Sequence, residues 1–396
     1  MDHATVDQLL PTLQKEIGPA LVAAYRVPAT GDSYFFAQRF EDTLLLLLES
    51  ESPLHLARES LIDRQVAVRD TLEAPPIVAT PRSLARHVRL FPLLGHHLST
   101  HAERLCGQPL TTQLAAKPHP LERRALIVRE AIASSAALAP RNAEVVSLQR
   151  LRRLADHLSQ NQNSPSISPN ELFSQVQLHL RLYTESLPVT GAGQAVVKST
   201  DEPNLQALYE DQQRFLVIIP PLAANLLRKI DWTSLARPMP PHLTGLNVAT
   251  AGQLFLTIQT DRPLDFALGG YRRIWGPDLL RTLSVSAAAV FRQAARKPSS
   301  LLVDGLLGAY LATNDDESVH RVIHDYQNHL LNIRLEHELL TRFFDVSPAE
   351  PPAPLPRRDE SLPVRVDAII SYLNWWADHY LDEMEARSPQ EKMSPV

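Results

Sequence analysis

The sequence predicts an all-α protein: a large helical domain with a smaller N-terminal domain that is helical or α+β. Three observations predict it. The stretches between prolines are rich in Leu, Ala, Arg, Gln and Glu, which are good helix formers. The 32 prolines, against 13 glycines, gather near 75–81, 165–169, 238–241 and 348–356, so they punctuate the chain more than they fill it. Alternating β-branched runs are scarce, and the best of them, "FLVIIPPL", ends in two prolines. No repeat of fixed period stands out.

Taken in order, residues 1–27 read as one or two short helices. Residues 41–72 alternate short apolar runs with acids and read as helix or as helix plus strand. One or two helices are expected over 81–105, after prolines, and strong ones over 121–140 and 142–160, the latter with a very basic face. A polar break at 161–169 leads into another. Ser168 suits the N-cap, Pro169 the first helical position, and Glu171 sits three after Ser168, the spacing of a capping box. Residues 187–204 read as a loop or short hairpin, 204–230 as helical, and 237–253 as irregular. Helices follow near 277–296, 299–312 and 317–345. The Pro-rich stretch 345–363 is a lid or tether, and a last helix carries Trp375, Trp376 and Tyr380. The expected organisation is a smaller domain over 1–118 and a helical domain over 119–396.

Composition narrows the function. The chain has 396 residues, 44% apolar and 21% charged, with a net charge of -5. That balance, with no long basic run, argues against nucleic acid as a partner. The single cysteine, Cys106, excludes an intramolecular disulfide and a multi-cysteine zinc site. The first residues show no signal peptide, and the longest apolar run, "LLLLL" at 44–48, is far too short to cross a bilayer. A cytoplasmic protein with no membrane partner is expected, as a monomer or homodimer.

The stretch "VIHDYQNHLLNIRLEHELLTRFF" carries the main functional signal. Ile323, Tyr326, Leu330, Ile333, His337, Leu340 and Phe344 recur at alternating steps of three and four, the spacing of one helix face. Every member is apolar or aromatic except His337. Three accounts compete: a core histidine with a satisfied hydrogen bond, a non-haem diiron site built on Asp325 and His329, and an axial haem ligand. A second cluster, His96, His97 and His101, has two histidines at i, i+4 but lacks the Glu of a zincin, and reads as a polar helix face. "TGAGQ" (190–194) and "TAGQ" (250–253) are small-residue turns that match no phosphate-binding loop. No Ser/His/Asp order can be assigned.

Several pieces together resemble the indoleamine 2,3-dioxygenase and tryptophan dioxygenase-like haem proteins, including the haem enzyme of pyrrolnitrin biosynthesis. "NIRLEHELLTRFF" is similar to that family's proximal-histidine helix, through Arg334, His337, Leu340, Thr341, Arg342 and Phe344. "ISPNELF" resembles the helix that borders the family's substrate pocket, and "ATAGQLF" its S-A-G-Q loop, with "TGAGQA" as a rival match. The likeness covers about 168–387, with a fainter echo near 121–138. It departs at Gln177, where the dioxygenases have an Arg that holds the substrate carboxylate.

The resemblance implies haem b (iron protoporphyrin IX) held by His337, with Arg334 pairing a propionate. It implies a pocket lined by Phe173, Gln177, Ala251, Gly252 and Gln253, with Tyr183 nearby. The implied activity is dioxygen-dependent oxidation of an indole or other aromatic amino-acid-derived metabolite, and the missing Arg points away from tryptophan itself. A non-enzymatic helical scaffold or interaction protein, and a non-haem diiron oxidase, are the alternatives.

Overall fold

The computed structural model describes residues 3–28, 43–50, 54–55, 58–59, 75–110, 120–138, 145–159, 168–184, 206–210, 214–221, 231, 245–260, 271–282, 285–313, 315–344, 346, 351, 357 and 359–391. In chain order the elements are α1 (His3–Ile17), β1 (Leu21–Val27), β2 (Thr43–Leu48), β3 (Ile77–Ala79), α2 (Pro81–Leu90), α3 (Pro92–His101), β4 (Glu103–Gly107), α4 (Pro120–Ser134), α5 (Val145–Ser159) and α6 (Pro169–Thr184). There follow β5 (Ala207–Glu210), β6 (Arg214–Ile219), β7 (Gly245–Thr250), α7 (Ala251–Thr260), β8 (Arg272–Trp275), α8 (Leu279–Thr282), α9 (Ala287–Ser300), α10 (Leu307–Ala312), α11 (Asp316–Phe344) and α12 (Leu362–Glu391). A 3-10 turn, Ser135–Leu138, follows α4, and a π-helical turn, Leu301–Leu306, joins α9 to α10.

The all-α expectation is corrected. Helices dominate, but there are two four-stranded sheets, ordered β3-β2-β1-β4 and β7-β6-β5-β8, and the class is α+β. The strands were hard to read for a physical reason. Every residue of β2 is buried, so "TLLLLL" shows no alternation, and a continuous apolar run suits a buried strand or a buried helix equally. β5 and β6 stand where helices were expected over 204–230. β7 takes up part of the stretch expected to be irregular, and β1 follows the first helix.

The chain divides into two compact units. One joins Met1–His119 to Phe291–Val396; the other is Pro120–Val290. The N-terminal sheet thus shares a unit with the C-terminal helices, His337 among them.

The two sheets repeat one design. In each, the first two strands are antiparallel, the second pairs in parallel with the third, and the fourth returns antiparallel to the first. The registers agree residue by residue. Tyr25 lies opposite Leu45 as Tyr209 lies opposite Leu216, and Ala79 opposite Leu47 as Ala249 opposite Ile218. Both fourth strands shift register at the same step, between Ala24 and Tyr25 and between Leu208 and Tyr209. The apolar cores agree as well: Ala23, Tyr25, Leu45, Leu47, Ala79 and Leu84 in one, and Ala207, Tyr209, Leu216, Ile218, Ala249 and Leu254 in the other.

The polar details repeat too. The third strand leads into Val-Ala-Thr each time, Thr80 standing just past β3 and Thr250 at the end of β7, and that Thr caps the next helix. The Thr80 N–H donates to Ser83 Oγ at 2.9 Å while the Ser83 N–H donates to Thr80 Oγ1 at 3.1 Å. The Thr250 N–H donates to Gln253 Oε1 at 2.9 Å while the Gln253 N–H donates to Thr250 Oγ1 at 3.2 Å. Tyr25 donates its hydroxyl to the carbonyl of Gln108, and Tyr209 to that of Pro277 at 3.2 Å. The residue before each acceptor is a left-handed glycine, Gly107 at φ 77 and Gly276 at φ 82, where any Cβ would strike the backbone of the first strand.

Candidate functional site

The face read from the sequence is the buried face of α11. Val319, Ile323, Leu330, Ile333, His337 and Leu340 are all buried, while Arg334, Glu338 and Arg342 are exposed. His337 is 5% exposed. It faces α12, whose Trp376, His379 and Tyr380 rings lie 4.7, 5.4 and 5.8 Å from it, centroid to centroid. Trp376 and Tyr380 are each 1% exposed and stack at 5.3 Å. Trp375 stacks on His379 at 5.2 Å, so of the adjacent tryptophans one is core and the other half-buried.

The polar atoms of this cluster are unusual. Among the described residues, neither nitrogen of His337 has a hydrogen-bond partner, and nor do Trp376 Nε1, His379 Nε2 or Tyr380 Oη. The expectation of a satisfied core histidine fails on this point. A buried polar atom without a partner costs about 1–3 kcal/mol. Five such atoms together rival the whole stability of a domain, about 5–15 kcal/mol. Ordered water, a ligand or a residue outside the described ones would offset that cost.

Burial also sets the protonation state. It pushes His337 down to about 4, with a smaller contribution from neighbouring His379, so the imidazole is neutral at physiological pH and its lone pair is free. His379 is pushed down by burial as well, opposed by Glu383 and Asp382. The Tyr380 hydroxyl is pushed up by burial and by Glu336, so it remains a donor.

As a haem site these residues fit at the ligand and not around it. A neutral imidazole with a free nitrogen is what an axial position needs. But aromatic rings close in on His337 from α12, and Arg334, expected at a propionate, is exposed and pairs with Glu338 of its own helix at 3.7 Å. The expected pocket residues belong to the other unit. There Phe173 and Gln177 are buried on α6, and Gln253 Nε2 donates to Gln177 Oε1 at 2.9 Å. Gln253 is also half of the Thr250 capping box, the role Ser83 plays in the first sheet. Gly252, beside Ala251 on the first turn of α7, has a free Cβ direction, its nearest neighbour being Thr250 Oγ1 at 4.0 Å. The "ISPNELF" match has a similar explanation. The Ser168 N–H donates to Glu171 Oε2 at 3.1 Å and the Glu171 N–H to Ser168 Oγ at 3.3 Å, the capping box read from the sequence. The loop 190–194 and the Tyr183 side chain lie outside the described residues.

The diiron alternative rests on Asp325 and His329. Asp325 is exposed, and among the described residues no group of three or more His, Cys, Asp or Glu is placed to hold a metal ion. His97 lies 3.1 Å from the Pro28 carbonyl, a structural bond. Sequence reasoning missed a Ser/His/Asp contact in this unit. His87 Nδ1 lies 3.0 Å from Ser299 Oγ, and Nε2 lies 3.3 Å from Asp304 Oδ2 without hydrogen-bond geometry. His87 and Ser299 are fully buried, so the contact ties α2 to the end of α9 and offers no nucleophile to a substrate. The opposite face of α11 exposes Leu331, Leu335, Leu339 and Phe343 at four-residue spacing.

Compared with known proteins, the chain matches no family model, no curated protein and no solved structure. Among the described residues, no helix is long and apolar enough to cross a membrane.

Proposed function

We propose that the seam between α11 and α12 is a binding site for a small planar aromatic molecule that carries hydrogen-bonding groups, the class to which indoles and phenols belong. One observation carries this reading: five buried polar atoms on four adjoining aromatic side chains have no partner among the described residues. A heteroaromatic ligand supplies what they lack. Its ring lies against the Trp376–Tyr380 stack, and its polar edge meets neutral His337, which accepts or donates according to its tautomer.

A second reading, a haem-dependent oxygenase acting on such a molecule, draws support from the two free nitrogens of His337. Bound haem would supply the oxygen chemistry. His337 would hold the iron from the apolar face of α11, and the aromatic residues of α12 would keep water from it.

The test uses the full chain and three probes: indole, p-cresol and hemin. On the first reading, indole or p-cresol raises the thermal unfolding midpoint in a concentration-dependent way. On the second, hemin gives a Soret band that is lost in His337→Ala. A midpoint unmoved by all three, with hemin giving no protein-bound spectrum, would leave the seam a hydrated structural junction and remove both readings.

A further inference from the structure

We infer that the chain consists of two copies of one sheet-and-helix module in tandem, and that each copy's helices complete the other copy's sheet. The first half of the inference rests on the repeated sheets: the same strand order, three matching registers, the same register shift, the same Thr capping box, the same tyrosine-to-carbonyl bond and the same left-handed glycine. Independent sheets of four strands have no physical reason to agree at all these points, because each could be replaced by another local solution.

The second half rests on where the helices go. In sequence, the first sheet is followed by α4, α5 and α6, and the second by α9 to α12. In space the assignment is exchanged. α4 and the 3-10 turn after it pack on β7 of the second sheet, and Ile132 joins that sheet's core. The π turn and α10 pack on β3 of the first sheet, and Val303 is part of its core. The two docks correspond in detail. Ser135 Oγ donates to the Leu246 carbonyl at 3.0 Å and accepts from the Val248 N–H at 2.9 Å. Gly308 comes so close to the Pro76 carbonyl that a Cβ there would collide with it. Pro76 stands two residues before Val78 as Leu246 stands two before Val248, so Ser135 and Gly308 meet the same point of the module. Outward from the dock the order repeats again: α5 packs on the 3-10 turn and α6 on α5, as α11 packs on the π turn and α12 on α11.

The partner that fits the β3 edge of the first sheet is thus the helical half of the second copy, and the reverse holds for β7. The added length of α11, 29 residues against 15 in α5, carries His337 and is what the second copy has beyond the shared order of helices.

The test is made on the full chain, with a protease site inserted between residues 190 and 200. After cleavage the two fragments are expected to co-elute as one species in native buffer, because each holds helices that the other's sheet requires. In the uncut chain, Val303→Ala is expected to raise amide exchange in β1, β2 and β3 by about tenfold while leaving β5, β6 and β7 near the parent rates, and Ile132→Ala is expected to do the opposite. Fragments that elute apart as separately folded species would overturn the inference. So would Val303→Ala leaving β1–β3 protected as in the parent.

Discussion

His337 is the residue on which the functional reading turns, and its oddity was legible in the sequence as a lone polar member of an apolar seven-residue face. Ile323, Leu330, Ile333, His337 and Leu340 of that face are buried, and Tyr326 and Phe344 are half-buried. What the sequence could not show was the company. Trp376, His379 and Tyr380 stand about forty residues on, in the next helix, and their shortage of partners depends on how two helices pack. At this scale a pH dependence follows. A histidine held neutral well below its ordinary value stabilises the fold above about pH 6.5, and that stability is lost as the pH falls toward about 4, where the buried ring must take a proton. The fall from 6.5 to about 4 corresponds to about 3 kcal/mol. Urea midpoints measured between pH 7 and pH 4 are therefore expected to drop further in the parent chain than in His337→Leu. Parallel curves for the two proteins would show that the ring is not buried neutral.

At the scale of elements, caps and long helices were the legible part. The Ser168–Glu171 box and the helix it starts follow from side-chain spacing alone, and α11 and α12 follow from periodicity and the proline breaks around them. The short strands were not legible. β3 is three residues long and β5 four, too short for any period to declare itself. Their identity is decided by pairing with strands far away in sequence. The duplication was hidden for a related reason. Tyr25 and Tyr209, Thr80 and Thr250, and Gly107 and Gly276 are matched pairs separated by different intervals, because the connections between strands differ in length. The shared "VAT" at 78–80 and 248–250, each followed by a capping residue and then Leu, was the signal that could have exposed it. The resemblance draws only the second of them, within "ATAGQLF", toward a ligand loop. The matched glycines give the test at this scale. Gly107→Ala and Gly276→Ala each place a Cβ against backbone at a left-handed φ, and each is expected to cost about 2 kcal/mol or more. Gly18, also left-handed but with open space around its Cβ direction, should cost about 1 kcal/mol when changed to Ala. Chemical denaturation of the three variants checks the order, and equal losses at all three would contradict the close approach.

For the whole molecule, the division of labour is between a module that occurs twice and an extension of one of its helices that occurs once. The repeated parts account for themselves as structure: sheets, caps, glycine turns and docked helices. The added length of α11, which carries His337 against α12, contains what that structure does not require. The composition could exclude classes but could not point to this arrangement, since net charge, cysteine count and hydropathy are indifferent to which sheet a helix covers. The most direct measurement is a calorimetric titration of indole and of p-cresol into the parent chain, His337→Leu and Tyr380→Phe, with unfolding midpoints of the three proteins recorded beside it. Removing an unpartnered buried polar atom relieves its cost, so both variants are expected to be as stable as the parent or more so without ligand. Both are expected to lose at least tenfold in affinity for whichever probe the parent binds, about 1.4 kcal/mol. Variants that unfold more easily than the parent, with no heat of binding from either probe in any of the three, would mean that these atoms are satisfied within the fold and that the seam is not a ligand site.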